Sequence, residues 1–509
     1  MDLKVLKEMH DSAYERGQTT RDKASDDMIF YHVTQWDSDL LNDSQLSYRG
    51  EFNILRKAGR QVMSDLHSNP VQVDFEPKDP DNDDGADLID GLYRTSCRNN
   101  TSREAFDTAS NESVVCGVGA WELTNEYETS RNGERNQIIK RIPLYEAVNS
   151  VFWDPNASLL DKSDADFVSC LVRYSEEGYK KLYKDLTGEE CESSPQDFKS
   201  PNESYVFPWI SEDNHVWVSR FFHREKVKVK AHVFEDMYGE QVTYNDDEYE
   251  EQEDELADNG YNHIETRDYD EYVVTRYVAS GEKILEEVTI PGTEIPVVPN
   301  YGERAYVEGE ETYEGITRLA KDPQRLRNFQ LSYLADIVSR SPRDKRIYTA
   351  EQLQGHQHMY EESGAENNFP YVIQNAKSVN GEQLPLGPVG TTGMQEMPMA
   401  LMQSIELTRG AVEDVANAGI PQNIADPDMS GKAILAMQNR IDMQSFVYQS
   451  NHKHACRRDG EIFASMARVI YDAPRNVALT LVDGTRKQGK VMEEVINDDF
   501  TKTMKNDLS

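Results

Sequence analysis

The feature that most constrains this chain is a helical pattern close to its C-terminal end. The pattern runs from Lys432 to about Asp472, is interrupted only by Gly460 and is ended by Pro474. At 1.5 Å per residue, about 40 residues make a rod about 60 Å long. Whatever else the chain folds into, it has to accommodate one very long helix.

The length and the charge of the chain limit its functional class. Its 509 residues are enough for about two to four domains with a sizeable core. Its 92 acidic and 54 basic residues give a net charge of -38. Such a field repels nucleic acid and anionic membrane, so tight, salt-driven DNA binding is disfavoured.

The cysteines and the hydropathy pattern argue against secretion. The five cysteines are scattered, odd in number and free of C-x-x-C pairs, which disfavours a disulfide framework or a zinc cluster and favours a reducing compartment. The N-terminus is charged from its third residue, and the apolar stretch 113–121 is too short to span a bilayer. We expect neither export nor membrane insertion.

The first three hundred residues mix helical and strand patterns, which predicts an α+β body. The stretch 52–70 has helical spacing, and the alternating VQVDFEP at 71–77 predicts a strand after it. Antiparallel strands are predicted for HVWVSRFF, KVKVKAHVF and, around a Ser-Gly turn, YVVTRYVASGEKILEEVTI. The acidic stretch 245–260 is best explained as a solvated helix or loop without a catalytic role.

From residue 311 onward, long helices replace the mixed pattern. Asp322 and Pro323 predict the start of a helix that ends at Ser341-Pro342. Its apolar residues follow helical spacing: Leu326, Phe329, Tyr333, Leu334, Ile337 and Val338. These stripes are explained either by packing between neighbouring copies or by an ordinary intramolecular bundle.

A second helix is predicted to begin near Pro398 and to stop at Gly419 and Pro421. Its stripe steps by four and three residues: Leu401, Ile405, Thr408, Val412 and Val415. Between the two helices lies a small polar insertion, 343–397, with strand-like pieces such as PYVIQ. After the very long helix, 477–496 predicts a strand, an Asp-Gly turn and a second strand.

Two stretches invite a nucleotide-binding interpretation, and both fail the test. A Walker loop needs G-x-x-x-x-G-K-[ST], but in DPDMSGKAIL Asp426 replaces the first glycine and Ala433 replaces the hydroxyl. The closer match, GTRKQGKV at 484–491, has Val491 at the hydroxyl position. A hairpin turn at Asp483-Gly484 explains it better.

The residue pattern predicts no metal site and singles out no catalytic one. DNDDGAD, 81–87, keeps no EF-hand register and is predicted to be a turn. The pairs His356/His358 and His452/His454 are spaced by two, which places both rings on one side of a strand but on different faces of a helix. The second pair lies in the predicted long helix, so metal binding there is disfavoured, and the first pair is only slightly better placed. No Ser/His/Asp or Cys/His arrangement is legible, and no cofactor motif is present.

Several segments, spread over nearly the whole chain, carry a resemblance to a known family. They are FYHVTQWDSDLLNDSQLSYRGEFN, NPVQVDFEPKD, YRTSCRNNTSREAF, GVGAWEL, VFWDPNASLLDKSDADF, YVFPWI, EGITRLAKDPQRLRNFQLSYLADIVSRSP, QLQGHQHMY and RRDGEIFASMARVIYDAPRNVALTLVDG. Several combine Trp, Gly and Pro in a fixed order over tens of residues. On these segments the chain resembles the portal proteins of tailed bacteriophages, most closely those of the short-tailed Salmonella-phage (podovirus) type.

The resemblance implies a portal fold with a mixed α/β wing, a two-helix stem, a small α/β clip, a tunnel loop and a very long wing helix. In this numbering the implied parts are the wing, 1–310 and 432–509; the stem helices, 311–340 and 398–418; the clip, 341–397; and the channel loop, 419–431. Related portals continue into a crown and a helical barrel, which we expect to be absent or not covered here.

The resemblance also implies a function. Portals form a homododecameric ring at one capsid vertex of the virion, assembled in the host cytoplasm, and double-stranded DNA passes through it during packaging and ejection. The implied partners are other copies of the chain, the major capsid protein, the scaffolding protein, the terminase large subunit and the head-to-tail adaptor. No cofactor, membrane or enzymatic activity is implied, since ATP hydrolysis belongs to the terminase. An acidic wall with few phosphate contacts suits a conduit along which a polyanion slides.

The resemblance places candidate contacts in the channel loop and the clip. The loop residues are Gly419, Pro421, Asp426, Asp428, Ser430, Gly431 and Lys432. Lys432 either touches phosphate or is simply an exposed lysine at a helix start. In the clip, Arg343, Lys345 and Arg346 are predicted partner or DNA contacts, with a solvated basic turn as the alternative. Two other functions stay open: another head-to-tail connector ring, or a P-loop-like NTPase.

Overall fold

The fold is divided between two compact units of one chain. The computed structural model describes residues 1–36, 46, 48–76, 83–128, 136–191, 198, 215–235, 241–245, 262–340, 346–360, 373–391, 399–415, 431–471, 474–481, 485–491, 493–496 and 502–505. The large unit consists of 1–34, 55–321 and 415–509, and the small unit of 35–54 and 322–414.

Helices form the first part of the large unit. In chain order they are α1 (Leu3–Arg16), α2 (Gln18–His32), α3 (Leu55–Ser68), α4 (Asp83–Cys97) and α5 (Asn100–Cys116). Helix α3 confirms the helical pattern of 52–70. The stretch 81–87 is not the turn that the sequence predicts, because α4 already begins at Asp83 and includes Gly85.

Two antiparallel sheets follow. The elements are β1 (Val118–Tyr127), β2 (Gln137–Leu144), α6 (Ala147–Ser150), β3 (Val151–Trp153), β4 (Phe167–Ser175), α7 (Glu176–Thr187), β5 (His215–Glu235), β6 (Gln241–Asn245), β7 (Asn262–Ala279), β8 (Ile284–Thr289), β9 (Val297–Tyr301), β10 (Glu303–Val307) and β11 (Glu310–Glu314). The first sheet has the order β2-β1-β9, and the second has the order β3-β4-β5-β7-β8 with β6 paired to β5. Strands β10 and β11 form a separate hairpin.

Most strand predictions of this region are confirmed, but two predicted strands form a single strand and one predicted strand is wrong. The two stretches HVWVSRFF and KVKVKAHVF belong to the single strand β5, while 272–290 gives β7, a turn and β8. The predicted strand 71–77 is wrong for its described part, since 71–76 has no strand partner. There the Phe75 N–H donates to Asp90 Oδ1 at 3.0 Å instead of to a neighbouring strand.

The remaining elements include the long helices. They are α8 (Ile316–Arg340), β12 (Arg346–Ile347), α9 (Ala350–Leu353), a 3₁₀ turn (Gln357–Met359), β13 (Gly390–Thr391), α10 (Met399–Val415), α11 (Gly431–Ile470), β14 (Arg475–Thr480), β15 (Arg486–Val491), β16 (Glu493–Ile496) and β17 (Lys502–Lys505). Helix α11 confirms the very long helix, and it continues through Gly460 without a break. Of PYVIQ, only Ile373 and Gln374 are described, and neither lies in a strand.

Helix α8 starts earlier than the sequence predicts. Pro323 was expected at the first helical position, but it lies inside α8, which begins at Ile316. A proline in a helix interior removes one backbone hydrogen bond. Burial of Ile316 and Ala320 against α2 and α3 stabilises the turn that precedes the proline. Tertiary packing thus outweighs the local signal for a helix start.

The core of the large unit is built around the C-terminal half of α11. Its residues Ile462, Phe463 and Met466 pack with Trp121 of β1 and Leu92 of α4 in one buried cluster. Leu479 of β14 and Val491 of β15 belong to the same cluster. The last third of the chain therefore completes a core that the first third begins.

Glycines allow the backbones to approach each other beside this core. Gly117 ends α5 in a left-handed conformation, with φ 97°, which a residue with a side chain rarely adopts. A Cβ on Gly119 would lie 2.1 Å from the carbonyl oxygen of Ala109, so β1 can cross α5 only without a side chain at this position. The GVG of the segment GVGAWEL thus has a steric role.

Candidate functional site

The predicted channel loop lies almost entirely outside the described residues. This applies to Gly419, Pro421, Asp426, Asp428 and Ser430. Gly431 and Lys432 are the first two residues of α11, so their backbone is helical. The contact roles of all seven residues stay predictions.

The predicted basic contacts of the insertion are only partly described. Arg343 and Lys345 lie outside the described residues. Arg346 begins β12, and its backbone pairs with Thr391 of β13 in a short antiparallel bridge. Its contact role stays a prediction as well.

The described part of the small unit contains a polar zipper along α8. Gln324, Asn328 and Ser332 are almost completely buried and are spaced by four residues. Their side chains accept hydrogen bonds from alternate backbone N–H groups of the segment before α3: Ile54 to Gln324 Oε1 at 3.3 Å, Phe52 to Asn328 Oδ1 at 3.0 Å, and Gly50 to Ser332 Oγ at 3.0 Å.

The zipper depends on two periodicities that nearly match. Four helical residues advance about 6.0 Å along the axis, and two extended residues advance about 6.6 Å. Extended backbone can therefore run along α8 in the opposite direction and meet one polar side chain per turn. Gln324 Nε2 also donates to the Phe52 carbonyl at 2.8 Å, and Asn328 Nδ2 donates to Gln35 Oε1 at 2.7 Å. The extended segment 48–54 thus pairs with the polar side chains of α8 in the way that a strand pairs with the edge of a sheet.

The predicted apolar stripe of α8 does not form a core within the chain. Leu326, Phe329, Tyr333 and Val338 are 51%, 44%, 45% and 54% exposed. The rings of Phe329 and Tyr333 stack with parallel planes, 6.4 Å between centroids. Since an ordinary surface helix buries its apolar side and exposes its polar side, α8 is inverted over this length.

Helix α10 packs against α8 through a second polar contact. Gln330 Nε2 donates to Ser404 Oγ at 2.6 Å, and the Thr408 hydroxyl donates to Gln330 Oε1 at 2.8 Å. Ile405 and Val412, on the predicted stripe of α10, are buried. In contrast, Met399 and Leu407 are 78% and 75% exposed. The small unit thus presents apolar side chains from both long helices.

A buried ion pair links several elements of the large unit. Arg141 of β2 and Asp459 of α11 have no exposed side-chain surface, and Arg141 Nη2 lies 2.6 Å from Asp459 Oδ2. Trp121 Nε1 and the Tyr93 hydroxyl each donate to the same carboxylate at 2.8 Å. Although burial opposes the charge, Asp459 raises the pKa of Arg141 well above its ordinary value. One carboxylate therefore joins α4, β1, β2 and α11.

Two further groups in the large unit have pKa values that differ from their ordinary ones. Burial raises the pKa of Glu112 on α5 to about 7, although the backbone N–H groups of Glu146 and Ala147 donate to its carboxylate at 2.7 and 2.9 Å. Burial lowers the pKa of His452 on α11 to about 4. His452 Nε2 lies 3.5 Å from Cys456 Sγ, and its Nδ1 lies 3.4 Å from Ser110 Oγ. Burial raises the pKa of the Cys456 thiol well above its ordinary value, which opposes formation of a reactive thiolate.

Most of the motif that came closest to a nucleotide-binding loop lies in one strand of an antiparallel pair, and the predicted Asp483-Gly484 turn lies outside the described residues. Arg486–Val491 is strand β15, and Lys490 pairs with Asn476 of β14. A Walker lysine instead lies at the junction of a loop and a helix. The P-loop-like alternative thus loses the local structure that it requires.

The described ranges hold no group of three or more His, Cys, Asp and Glu side chains that could bind a metal ion. None of the five cysteines, all within the described ranges, forms a disulfide bond, and burial raises the pKa of Cys97 to about 11. Where the structure describes the chain, no helix is both long and apolar enough to cross a membrane.

Comparisons with known proteins define the class of the chain. The model of the Phage P22-like portal protein family matches residues 7–509. A curated relative named Portal protein, from Acyrthosiphon pisum secondary endosymbiont phage 1, is 29% identical over 518 residues, which cover 98% of this chain and 70% of the relative. Both matches are to structural proteins of phages and not to an enzyme family.

The chain belongs to the Phage P22-like portal protein family. It is a phage portal protein, which confirms the resemblance at the level of the family. The mixed α and β content of the structure agrees with the α+β prediction.

The sequence interpretation missed the polar zipper. Its signal was present as Gln324, Asn328 and Ser332 at a spacing of four, interleaved with the apolar stripe. A helix with one apolar face and one regularly spaced polar face predicts a different partner for each face. The prediction from sequence used the apolar face alone.

Proposed function

We propose that this portal protein forms a ring-shaped, homododecameric conduit of the short-tailed phage type. Double-stranded DNA passes through the ring during packaging and ejection. The ring nucleates procapsid assembly with the scaffolding and major capsid proteins at one vertex. It then binds the terminase large subunit and, after packaging, the head-to-tail adaptor. These roles rest on the family and on the inverted surface of α8.

The exposed apolar stripe of α8 is the observation that supports assembly into a ring. In one copy, the polar side of α8 is already occupied by the segment 48–54, while Leu326, Phe329, Tyr333 and Val338 have large exposed fractions. A contiguous apolar stripe on a helix favours contact with another protein surface. Identical copies related by rotation offer such a surface to each other, and a rotation that closes gives a ring.

The domain bounds proposed on this basis are those of the sequence analysis. The wing would span 1–310 and 432–509, the stem helices 311–340 and 398–418, the clip 341–397 and the channel loop 419–431. Within the first stem segment the helix begins at Ile316, because 310–314 forms strand β11. Arg343, Lys345 and Arg346 would contact partners or DNA in the clip. The loop residues from Gly419 to Lys432 would face the DNA.

The proposal is tested by native mass spectrometry with negative-stain imaging of purified protein. Wild type should give rings with a central hole. Phe329→Glu with Tyr333→Glu should give smaller species, because two carboxylates per copy would be buried without partners. Val5→Glu, at a position that is 41% exposed on α1, is the matched control and should leave the rings intact. Rings that persist in the double variant would contradict the role of α8, and a wild-type monomer in the presence of scaffolding protein would contradict the conduit.

A further inference from the structure

Strands β5 and β7 carry a β-bulge close to the ends that residues 236–261 connect. Up to that point the register is regular, with His232 opposite Thr266 and Val233 opposite Glu265. The next pair is Phe234 and His263, so Ile264 is an extra residue on β7. The bulge shifts the alternation of side chains along β7 by one residue.

This shift places three polar side chains on one face of the sheet. Residues two apart on a strand share a face, so His232 and Phe234 lie on the same side of β5. Their partners, Thr266 and His263, lie on that side as well, although they are three residues apart on β7. If β7 alternated regularly through Ile264, without the bulge, His263 would point to the opposite face. A bulge that redirects a side chain is a common device next to functional sites.

The three side chains converge at one point. His232 Nδ1 lies 3.2 Å from His263 Nε2. The hydroxyl oxygen of Thr266 lies 3.3 Å from each of these nitrogens. The three atoms form a nearly equilateral triangle. Edge contact of Phe234 with the His263 ring, at 5.1 Å between centroids, helps to fix that ring.

The triangle has the dimensions of one face of a tetrahedral metal site. Zinc binds imidazole nitrogen at about 2.0–2.1 Å, so two such nitrogens at a tetrahedral angle lie about 3.3 Å apart. Imidazole suits Zn²⁺, Ni²⁺ and Cu²⁺, whereas Mg²⁺ and Ca²⁺ prefer oxygen ligands. In a metal-free pair, one ring nitrogen has to donate a hydrogen bond to the other.

We propose that His232 and His263 form a two-histidine binding site for a borderline divalent transition-metal ion such as Zn²⁺, which links β5 to β7. Water molecules complete the coordination, and the Thr266 hydroxyl, at the third corner of the triangle, lies within hydrogen-bond reach of a water bound at another position of the ion. The site is independent of the conduit function. It also differs from the histidine pairs that sequence spacing singles out, because its two ligands meet across strands.

The test is isothermal titration of the assembled, tag-free protein with ZnCl₂ at mildly alkaline pH, since a ring nitrogen must be unprotonated to bind a metal. An excess of Mg²⁺ occupies sites formed only by carboxylates. Wild type should bind one Zn²⁺ per chain at this site. His263→Ala and His263→Gln should each weaken that binding by more than about 10-fold, because even an outer-shell partner of a metal is worth about 10- to 100-fold.

His454→Ala, at an exposed position on α11, is the matched control and should bind Zn²⁺ as the wild type does. Circular dichroism of the His263 variants checks that the fold is retained, and the glutamine variant keeps a polar side chain in the strand. Titration with Co²⁺ gives a second readout, since a visible absorption band of a tetrahedral ion should appear in wild type and disappear in His263→Gln. Unchanged Zn²⁺ binding in both His263 variants, or no heat above that of Mg²⁺ alone in wild type, would overturn the proposal.

Discussion

At Asp459, one carboxylate accepts hydrogen bonds from a guanidinium, an indole and a phenol that come from three other elements. A buried ion pair is a weak source of stability when it is compared with apolar residues of the same size. Removing one partner, in contrast, strongly destabilises the fold, because the remaining charge stays buried without compensation. The group thus acts mainly as a specificity device for the position of α11.

We expect Asp459→Asn to lower the free energy of unfolding of the large unit by about 3–5 kcal/mol, because Arg141 would remain buried and charged. Urea unfolding followed by tryptophan fluorescence measures this loss, since Trp121 lies in the same network. The control is Lys140→Gln, which removes the half-exposed pair of Lys140 with Glu126 at 2.7 Å and should change stability by less than about 1 kcal/mol. Equal effects of the two substitutions would argue against a special role for the buried pair.

Glu112 makes stability depend on pH. Its pKa is about 7 in the folded chain, against an ordinary 4.5, so the folded state holds the proton more tightly than the unfolded state. The resulting stabilisation is fully present below pH 4.5 and is lost as the pH rises to about 7. With about 1.4 kcal/mol per pKa unit, the loss amounts to about 3 kcal/mol.

The variant Glu112→Gln should remove this dependence, because its amide does not titrate. We therefore expect the difference in unfolding free energy, wild type minus variant, to fall by about 3 kcal/mol between pH 4.5 and 7. The difference is the quantity to measure, because His452 acts in the opposite direction: its pKa of about 4 adds stability as the pH rises toward 6.5. A difference that stays constant over this range would show that Glu112 keeps an ordinary pKa in the folded chain.

Among the elements, the interior glycines of α3 and α10 have different roles. A Cβ on Gly59 of α3 would lie 2.3 Å from the hydroxyl oxygen of Tyr31, whose ring is buried. A Cβ on Gly410 of α10 would meet no atom within 4 Å. The first glycine allows α3 to pack on α2, and the second only weakens its helix.

We expect opposite effects of alanine at these positions. Gly410→Ala should stabilise the small unit by up to about 1 kcal/mol, the difference in helix propensity. Gly59→Ala should destabilise the large unit by about 1–2 kcal/mol, because overpacking outweighs the same gain in propensity. Thermal unfolding of both variants at one protein concentration checks the prediction. A gain at both positions would mean that α2 moves freely away from α3.

The elements also show how far the sequence could predict the fold. Helix α11 and the pair β7 and β8 were predictable because their signals are local: helical spacing broken only by Gly460 and ended by Pro474, and alternation around a Ser-Gly turn. The start of α8 was not, because Pro323 gives a local signal that burial of Ile316 overrides. The conformation of 71–76 depends on a side chain of α4, and the conformation of 48–54 depends on side chains of α8. Contacts between residues so far apart in sequence leave no local pattern.

The candidate sites were less predictable than the elements. Portal membership followed from segments such as GVGAWEL, whose glycines have a steric function. The histidine pair escaped notice because one extra residue, Ile264, decides which face His263 joins. A shift of one residue in register reverses every side chain of a strand, so such pairs require coordinates.

For the whole molecule, charge is the property that matters for a DNA conduit. A net charge of -38 per copy repels phosphate at long range, and every added copy increases this repulsion. A channel that binds its cargo tightly would hold it in place, whereas a repelling wall lets it slide. The acidic composition is therefore consistent with transport and not with storage or sequence recognition.

We expect assembled rings to bind double-stranded DNA no more tightly than a Kd of about 10⁻⁶ M at about 150 mM salt. Fluorescence anisotropy with a labelled duplex, repeated over a salt series, measures both the affinity and its salt dependence. A basic protein known to bind duplex DNA, measured with the same labelled duplex, serves as the positive control. Nanomolar binding whose logarithm falls steeply with the logarithm of salt concentration would indicate many phosphate contacts and would contradict a sliding conduit.

The pairing of Arg141 with Asp459 also has a consequence for synthesis. The two residues lie 318 positions apart, and a ribosome adds about 5–20 residues per second, so Arg141 waits about 15 to 60 s for its partner. During that time the core cluster lacks α11 and cannot close. Nascent chains therefore keep this core open until α11 has been translated, and a chain released before residue 459 leaves Arg141 without its buried partner. Timing of this kind acts as a filter on length, because only chains translated past α11 can offer a finished core to other copies.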